Sequence, residues 1–320
     1  MRLLVTGGAG FIGSNYVRSV LSGALSGVSS MKVLDSLTYA GNKSNLHDYS
    51  SQFEFLEGDI CDESLVLKSF KGVDAVINFA AESHVDNSIR ESKKFVETNV
   101  LGVQNLLNQA VKSGVTKFIQ VSTDEVYGSI PEGSWVESSL VAPNSPYAAS
   151  KAAADLLVNA FHTTYGLNTT ITRCCNNYGP YQYPEKIIPL FITNLIKGIE
   201  VPIYGDGTNI REWIHVEDHC KAIHKVLFEG RSGGTYNIGS GFELTNLQLA
   251  QTILESMGYT SEKIVFVADR LGHDYRYSLD SSKFTREFGE NTFVDFQCGL
   301  EATISWYQSN NQWLSRIVRK

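Results

Sequence analysis

The sequence predicts an α/β fold in which a doubly wound parallel sheet is joined to a smaller, mixed α/β C-terminal part. Three observations lead to this prediction. Apolar runs of strand length alternate with helical periodicity over roughly the first half of the chain. A glycine-rich turn follows the first apolar run. Beyond Cys175 the sequence becomes polar, aromatic and rich in turn residues.

Strand and helix patterns alternate in a regular order through the first part of the chain. Strands are predicted at 3–5, 32–35, 53–56, 75–79, 117–121 and 169–173. The helices between them are predicted at 11–21, 97–111 and 148–165. Ligands of open α/β sheets bind outside the carboxyl ends of the strands, so the residues that follow each strand form the candidate site.

The turn after the first strand reads TGGAGFIG over residues 6–13. Glycines allow the backbone to approach a pyrophosphate, and the N-terminus of the next helix supplies unpaired N–H groups. Strand, glycine turn and helix in this order predict a Rossmann-type dinucleotide site. The residues expected to contact the cofactor here are Gly7, Gly10, Phe11, Ile12 and Gly13.

Acidic and small residues follow the next strands. Asp35 ends the second strand, where a carboxylate accepts hydrogen bonds from the ribose hydroxyls and repels a 2′-phosphate, so NAD is expected rather than NADP. Its alternative role is a helix cap at the strand end. Asp59 could reach the adenine, and the pair at 80–81 would let the cofactor pass close to the backbone. His84 is as compatible with a structural role as with a ligand role.

The segment 122–151 carries the candidate chemistry. Thr123, Asp124 and Glu125 follow the fifth strand, and Tyr147 and Lys151 stand at i and i+4 of a predicted helix, on one face. An ammonium close to a phenol lowers the pKa of the phenol, which produces a base for an alcohol proton. Two neighbouring carboxylates can divide acid and base roles. The alternative is that the tyrosine packs at the helix start and the lysine is solvated.

Beyond Cys175, the loop at 176–186 is too long for an ordinary connection and is expected to be functional. Lys186, Arg211, Arg270 and His273 are candidate pyrophosphate ligands, although each could be a solvated surface charge. The further elements are predicted at 187–197, 201–204, 216–228, 246–257 and 296–314.

Composition restricts the class of protein. With 42% apolar and 19% charged residues, the chain is expected to be globular with an ample core. The net charge of −7 argues against a nucleic-acid partner. The start of the chain shows no signal peptide, and no apolar run is long enough to span a membrane. Five cysteines, odd in number and without metal-type spacing, favour a reduced, cytoplasmic compartment and no metal site.

Taken together, these motifs resemble the extended short-chain dehydrogenases/reductases. The glycine turn and Tyr147-x-x-x-Lys151 are typical of that whole superfamily. The Thr123-Asp124-Glu125 triplet and the segments 81–86 and 270–277 are similar to the dTDP-glucose 4,6-dehydratase family. The chain departs from that family at Leu271, where proline is common, and at His215, where a phenol is usual.

The resemblance implies an NAD-dependent hydro-lyase of deoxysugar biosynthesis. Such an enzyme converts dTDP-glucose to dTDP-4-keto-6-deoxyglucose by oxidising C4, eliminating water across C5–C6 and returning the hydride to C6. The implied roles are Tyr147 as base towards the 4-hydroxyl, Thr123 as its partner on that oxygen, Lys151 on the nicotinamide ribose, Asp124 as acid and Glu125 as base. A homodimer through the helices near 97–111 and 148–165 is implied as well.

The resemblance also implies the remaining contacts. The cofactor set comprises Gly7, Gly10, Phe11, Ile12, Gly13, Asp35, Ser36, Leu37, Thr38, Asp59, Ile60, Phe79, Ala80, Ala81, Ser83, Thr98, Ser122, Tyr147, Lys151 and Asn177. The substrate set comprises Ser83, His84, Thr123, Asn176, Glu185, Lys186, Ile187, Leu190, Pro202, Ile203, Tyr204, Arg211, Asn246, Arg270, His273 and Tyr277.

Two units are expected from this division of contacts. Residues 1–175 form the dinucleotide-binding unit, with about 207–232 packing back onto it, and residues 176–206 and 233–320 form the nucleotide-sugar unit. Two other functions stay open: a nucleotide-sugar 4-epimerase, which would lose no water, and a non-catalytic NAD-responsive regulator. The Asp124–Glu125 pair speaks against the first, and the complete catalytic group against the second. The residues alone do not distinguish thymidine from uridine.

Overall fold

The computed structural model describes residues 1–290 and 292–317. Its strands, numbered in chain order, are β1 (Arg2–Thr6), β2 (Ser30–Asp35), β3 (Glu54–Glu57), β4 (Ala75–Asn78), β5 (Lys117–Thr123), β6 (Thr169–Cys174), β7 (Asn176–Tyr178), β8 (Val201–Tyr204), β9 (Ile210–His215), β10 (Gly234–Ile238), β11 (Glu243–Thr245) and β12 (Ile264–Val267). Within these ranges, seven parallel strands form the central sheet in the order β10-β6-β5-β4-β1-β2-β3. The strand order reverses between β1 and β4, which opens a crevice at their carboxyl ends.

The helices, also in chain order, are α1 (Phe11–Leu21), α2 (Glu63–Ser69), α3 (Val85–Arg90), α4 (Ser92–Val96), α5 (Val103–Ser113), α6 (Pro146–Tyr165), α7 (Ile187–Ile196), α8 (Val216–Glu229), α9 (Asn246–Ser256), α10 (Ser282–Phe288), α11 (Phe296–Ser309) and α12 (Asn311–Ile317). Helices cover both faces of the sheet. Leu3 and Val5 belong to the core shared with α1 and α8, while Leu4 faces the core shared with α2, α5 and α6. This alternation confirms the predicted doubly wound sheet.

A smaller part lies beyond the carboxyl ends of the sheet. It contains a three-stranded sheet in the order β11-β9-β7 and a parallel pair of β12 and β8. Helices α7, α9, α11 and α12 enclose a third apolar core around Phe191, Trp213 and Leu300. In the described part of the chain, no helix has the length and apolar character that crossing a bilayer requires.

The expected division between the two units is wrong at one boundary. It places all of residues 233–320 in the substrate unit, but β10 pairs with β6 as the edge strand of the large sheet. Tyr236 and Ile238 of β10 join the core of that sheet, together with Phe284 of α10. The strand is short and follows a turn, so its pattern does not distinguish it from a strand of the smaller sheets. Helix α8, in the segment expected to pack back onto the first unit, packs on α1.

Other differences are local. The predicted strands and most predicted helices are present within one to a few residues. The helix expected at 296–314 is interrupted at Asn310 and forms α11 and α12. The helix expected from residue 97 opens with a wide π turn, Glu97–Gly102. The elements that were not predicted are helices α2, α3, α4 and α10 and strands β7, β9, β10, β11 and β12. The helices and most of these strands are too short for a clear hydrophobic period, and the glycines before β9 make that segment look like a turn.

The π turn places the buried side-chain amide of Asn99 between the loop after β4 and helix α6. The Asn99 side chain accepts a hydrogen bond from the Glu82 N–H at 2.9 Å and donates to the Glu82 carbonyl at 2.9 Å and the Ser150 hydroxyl at 2.9 Å. It thereby fixes the loop after β4 against the helix that carries the tyrosine and lysine. Wide helical turns of this kind often occur at functional sites.

Replacing Asn99 by alanine should leave both backbone groups of Glu82 without their partner in a buried place. We expect the free energy of unfolding to fall by about 2–4 kcal/mol, measured by urea denaturation with an unchanged m value. Asn105→Ala is the matched control, because it removes a single hydrogen bond to the Ile60 carbonyl and should cost about 1 kcal/mol. Equal losses in the two variants would contradict the role of the Asn99 network.

Candidate active site

One cavity of about 650 Å³ occupies the crevice between the large sheet and the smaller part. The glycine turn lies at one end of it and the segment 267–277 at the other. The predicted catalytic residues and every residue of the predicted substrate set line this cavity. The cofactor residues that line it are Gly7, Gly10, Phe11, Ile12, Gly13, Phe79, Ala81, Ser83, Ser122, Tyr147, Lys151 and Asn177.

The glycine turn is shaped for a close approach by a diphosphate. Gly7 has φ +69°, and a Cβ atom there would lie 2.5 Å from the Ala80 nitrogen. A Cβ at Gly13 would overlap the Gly7 carbonyl oxygen. Helix α1 begins at Phe11 with Gly10 as its N-cap and without a side-chain cap, so no side chain takes up its first N–H groups. The turn therefore fits the pyrophosphate of a dinucleotide such as NAD.

The adenosine end of the predicted cofactor set lies outside the lining of this cavity. The Asp35 carboxylate is buried and accepts hydrogen bonds from the N–H groups of Ala9 and Leu37, both at 2.8 Å. Asp59 accepts from the Cys61 N–H at 2.9 Å. The predicted cofactor residues that the cavity lining does not include are Asp35, Ser36, Leu37, Thr38, Asp59, Ile60, Ala80 and Thr98. Their contacts with a cofactor stay predictions.

The end of β5 turns the two candidate carboxyls into the cavity. The Thr123 hydroxyl accepts from the Glu125 N–H at 3.3 Å and so caps the short helical turn Asp124–Tyr127. The same hydroxyl donates to the Asp124 carboxyl at 3.1 Å. The other Asp124 oxygen, Oδ2, is buried and has no hydrogen-bond partner among the described residues. This oxygen is free to interact with a substrate group.

Burial and neighbouring charge separate the two carboxyls. Burial, together with the Glu125 and Glu212 carboxylates, raises the pKa of Asp124 well above its usual range. Burial also raises the pKa of Glu125, but Arg270 and Lys186 oppose that shift. Asp124 therefore keeps its proton at a pH where an ordinary aspartate is ionised, and Glu125 is the easier of the two to ionise.

Helix α6 brings the tyrosine and lysine together as predicted, but their electrostatics differ from the expectation. Ser145 caps the helix by accepting from the Ala148 N–H. The Lys151 ammonium donates to the Val121 carbonyl at 2.7 Å. Burial and the Glu125 carboxylate raise the pKa of Tyr147 well above its usual value. In the protein chain alone the pKa of Tyr147 is therefore not lowered towards neutral pH, because burial and nearby carboxylates disfavour a phenolate. The effect of Lys151 on this pKa stays a prediction.

The four predicted pyrophosphate ligands, Lys186, Arg211, Arg270 and His273, all line the cavity but differ in their bonding. Lys186 donates to the Ser83 carbonyl at 2.8 Å. Arg211 stacks on the Tyr277 ring at 4.4 Å and donates to the Asp274 carbonyl at 2.9 Å. Arg270 has a buried Nε without a partner among the described residues. Since Arg211 is already committed to carbonyl oxygens, Arg270 is the guanidinium with a donor free for an anion.

The two histidines that line the cavity, His273 and His84, also have structural contacts. His273 bonds Asp269 at 2.6 Å, and burial lowers its pKa. His84 accepts from the Asn87 N–H and so caps α3, and its Nε2 lies 3.9 Å from Glu185. Burial and the Lys186 charge lower the pKa of His84 to about 4, so it is neutral at neutral pH. His84 therefore has a structural role as the cap of α3, and its role towards a ligand stays a prediction.

Sequence reasoning missed several residues of the cavity wall. Asp86 and Arg90 of α3, Trp213 of β9 and Val267 of β12 also line it. Trp213 stands two positions after Arg211 on the same strand, so the two side chains leave the strand on the same side. A strand assignment at 210–215 would have found the tryptophan, but the glycines just before it make that segment look like a turn. Helix α3 is too short to show a period.

Comparison with known proteins agrees with this geometry. Residues 4–303 match the family model described as GDP-mannose 4,6 dehydratase. A dTDP-glucose 4,6-dehydratase of Streptomyces niveus is 55% identical, over 98% of this chain and 94% of the relative. The crystal structure of DesIV, the dTDP-glucose 4,6-dehydratase of Streptomyces venezuelae with NAD and TYD bound, matches at a TM-score of 0.98 and 55% identity, over 99% and 100% of the two chains.

A less similar structure belongs to a nucleotide-sugar 4-epimerase, the first of the two alternative functions. The UDP-glucose 4-epimerase of Thermus thermophilus in complex with NAD has a TM-score of 0.89 and 31% identity, covering 97% of this chain and 100% of that one. The fold is thus common to dehydratases and epimerases, and the higher sequence identity is found among the dehydratases. The chain belongs to the GDP-mannose 4,6 dehydratase family and, within it, groups with the dTDP-glucose 4,6-dehydratases.

Proposed function

We propose that this protein is an NAD-dependent hydro-lyase that converts dTDP-glucose to dTDP-4-keto-6-deoxyglucose. The observation that carries the proposal is the pair of adjacent carboxyls, Asp124 and Glu125, buried beside Tyr147 and Lys151 in one cavity. Oxidation of an alcohol alone needs only the tyrosine and lysine. Elimination of water also needs a proton donor and a proton acceptor next to each other.

The first step is removal of the proton from the sugar 4-hydroxyl. Tyr147 accepts this proton, and Thr123 holds the same oxygen. Bound NAD supplies the acceptor and later donor of hydride and, in its oxidised form, a positive charge that lowers the pKa of acids beside it. The raised pKa of Tyr147 in the chain alone supports the idea that Tyr147 becomes a useful base only in the complex with NAD. Lys151 contributes its ammonium to the nicotinamide ribose.

The 4-ketone makes the C5 proton removable, and the two carboxyls then act together. Glu125 removes that proton, while Asp124 donates its own to the departing 6-hydroxyl. The direction of their pKa shifts supports this division, because Asp124 is the more strongly protonated. After the hydride has returned to C6, Glu125, whose proton exchanges with solvent, protonates C5 again. Tyr147 releases the proton of the 4-hydroxyl to solvent and Asp124 takes one up from solvent, so all three groups regain their starting state.

The two parts of the chain divide the binding. Residues 1–175, with α8 and β10, hold the cofactor at the glycine turn, and the smaller part holds the nucleotide sugar. The unpartnered Nε of Arg270 and the nearby Lys186 favour a diphosphate at that end. A 4-epimerase expels no water and so would not use the proton that Asp124 retains. This difference favours the dehydratase.

The isotope pattern of the product tests the proposed reaction. Deuterium placed at C4 of the sugar should reappear at C6 of the 4-keto-6-deoxy product, within the same molecule. Product formed in heavy water should carry deuterium at C5. Mass spectrometry of a mixture of light and C4-deuterated substrate measures both. An epimerised product of unchanged mass, or label exchanged between molecules, would refute the proposal.

The carboxyl roles are tested by trapping the reaction at two different points. Glu125→Gln should oxidise C4 but stall there, so the absorbance of reduced nicotinamide should accumulate without product. Tyr147→Phe, the comparison variant, should block oxidation itself and show no such absorbance. Asp124→Asn should slow expulsion of the 6-hydroxyl. Each loss of turnover should be roughly 10²–10⁴-fold, as for general acid–base groups. Wild-type turnover in Glu125→Gln would exclude its role as the base.

We also propose a homodimer and a cytoplasmic location. Leu101 of the π turn and Leu156 of α6 expose 53% and 62% of their surfaces on neighbouring helices, which supports a helical interface. The five cysteines, all within the described ranges, are free thiols, as is usual in a reducing compartment. A protein recovered from the culture medium or the periplasm on cell fractionation would contradict that location.

The dimer is tested by light scattering of wild type and two matched variants. Leu101→Glu should shift the mass towards that of the monomer, because a charge would be buried in the interface. Ile199→Glu is the control, since Ile199 is 51% exposed and belongs to the smaller part, in the turn between α7 and β8. A monomeric wild type would contradict the proposal, and so would an unchanged mass for Leu101→Glu.

A further inference from the structure

Two loops meet above the carboxyl end of β1. The loop 36–42 follows β2, and its base is fixed to the glycine turn, because the Asn42 N–H and the Asn45 amide both donate to the Ala9 carbonyl at 3.0 Å. The segment with Glu185 belongs to the smaller part. Its neighbour Lys186 is held on the far side by the loop after β4, through the bond to the Ser83 carbonyl.

A tyrosine joins these two loops. The Tyr39 hydroxyl donates to Glu185 Oε1 at 2.8 Å, and the Tyr39 ring meets the Tyr183 ring edge-on at 5.4 Å between centroids. Burial and the Glu185 carboxylate raise the pKa of Tyr39, so the phenol stays protonated and remains a hydrogen-bond donor. The contact is therefore a phenol donor on a carboxyl. Burial raises the pKa of Glu185, while Lys186 and the Tyr39 hydrogen bond oppose that shift and favour the ionised, better acceptor.

The strand order shows what this contact crosses. In the sheet, β1 lies between β2 and β4. Tyr39 belongs to the loop after β2, and the loop after β4 holds the segment with Glu185. A hydrogen bond between the two therefore passes over the end of β1, where the glycine turn lies. Ala40, Glu185, Gly7 and Gly10 line the same cavity, so this hydrogen bond borders the space in which a dinucleotide diphosphate fits.

We propose that the Tyr39–Glu185 hydrogen bond closes a strap over the bound dinucleotide, which keeps NAD in place while nucleotide sugars exchange at the other end of the cavity. This inference rests on the proposed function, because returning the hydride to the same sugar requires a cofactor that outlasts each turnover. It assigns Glu185, expected as a substrate contact, to retention of the cofactor, and adds Tyr39, which is in neither predicted set.

A second hydrogen bond between a tyrosine and a carboxylate lies at the sugar end of the cavity. Tyr204 of β8 donates to Asp86 Oδ2 at 3.2 Å, and this contact is exposed to solvent. It also joins the two parts of the chain, but its partner Asp86 belongs to α3, which follows β4, so the contact does not cross β1. The longer, exposed bond at the sugar end and the shorter, half-buried bond at the cofactor end match the different residence times that the two ligands need.

The test is the exchange of bound NAD without any sugar present. The holoenzyme is loaded with isotopically labelled NAD, mixed with excess unlabelled NAD and desalted at intervals to measure the label retained. In Tyr39→Phe, which keeps the ring against Tyr183, the exchange rate should rise at least about tenfold, equivalent to about 1.4 kcal/mol. Tyr204→Phe is the matched control and should exchange at the wild-type rate.

Two results would overturn the strap: wild-type exchange in Tyr39→Phe, or equal acceleration in Tyr204→Phe, which would indicate general loosening. If Tyr39→Phe does not fold, Glu185→Ala, which removes the acceptor, takes its place with the same threshold. Because the assay contains no sugar, it is separate from the reaction. A wild type that retains NAD but forms no 4-keto sugar would refute the proposed function. The exchange rates of the variants would still decide whether the strap retains NAD.

Discussion

The close approach of two backbone segments at the end of β1 is the constraint on which the site depends. Gly7 leaves no room for a Cβ beside Ala80, and Gly13 leaves none beside the Gly7 carbonyl. The turn is therefore bare backbone, and the crevice created by the reversal between β1 and β4 can admit a diphosphate. The glycine turn, the loop after β4 and the end of β5 all face this crevice.

Burial then determines the chemistry of the groups around the crevice. It raises the pKa of Asp124 and Tyr147 and lowers that of Lys151 and Lys186, in each case by disfavouring the charged form. For Asp124 this matches the role of an acid. For Tyr147 it opposes the proposed role of a base, which is why the proposed mechanism assigns that role to the complex with oxidised NAD.

The two parts of the chain are joined across the cavity by tyrosine–carboxylate contacts. Tyr39 with Glu185 lies over the cofactor end, and Tyr204 with Asp86 lies at the sugar end. Such contacts allow a cavity to be closed at one end and accessible at the other. The proposed closed cycle needs a retained cofactor and an exchangeable sugar, and the different burial of the two contacts fits that need.

The sequence by itself determined the parallel sheet, the glycine turn and the grouping of Thr123, Asp124, Glu125, Tyr147 and Lys151, because these depend on periods and spacings within single segments. Tertiary structure decided what depends on segments far apart in the chain. Strand β10 joined the large sheet through pairing with β6, and Trp213 entered the cavity through β9. The direction of the Tyr147 pKa shift and the bond between Tyr39 and Glu185 arise from burial and from loops 146 residues apart, which no local pattern encodes.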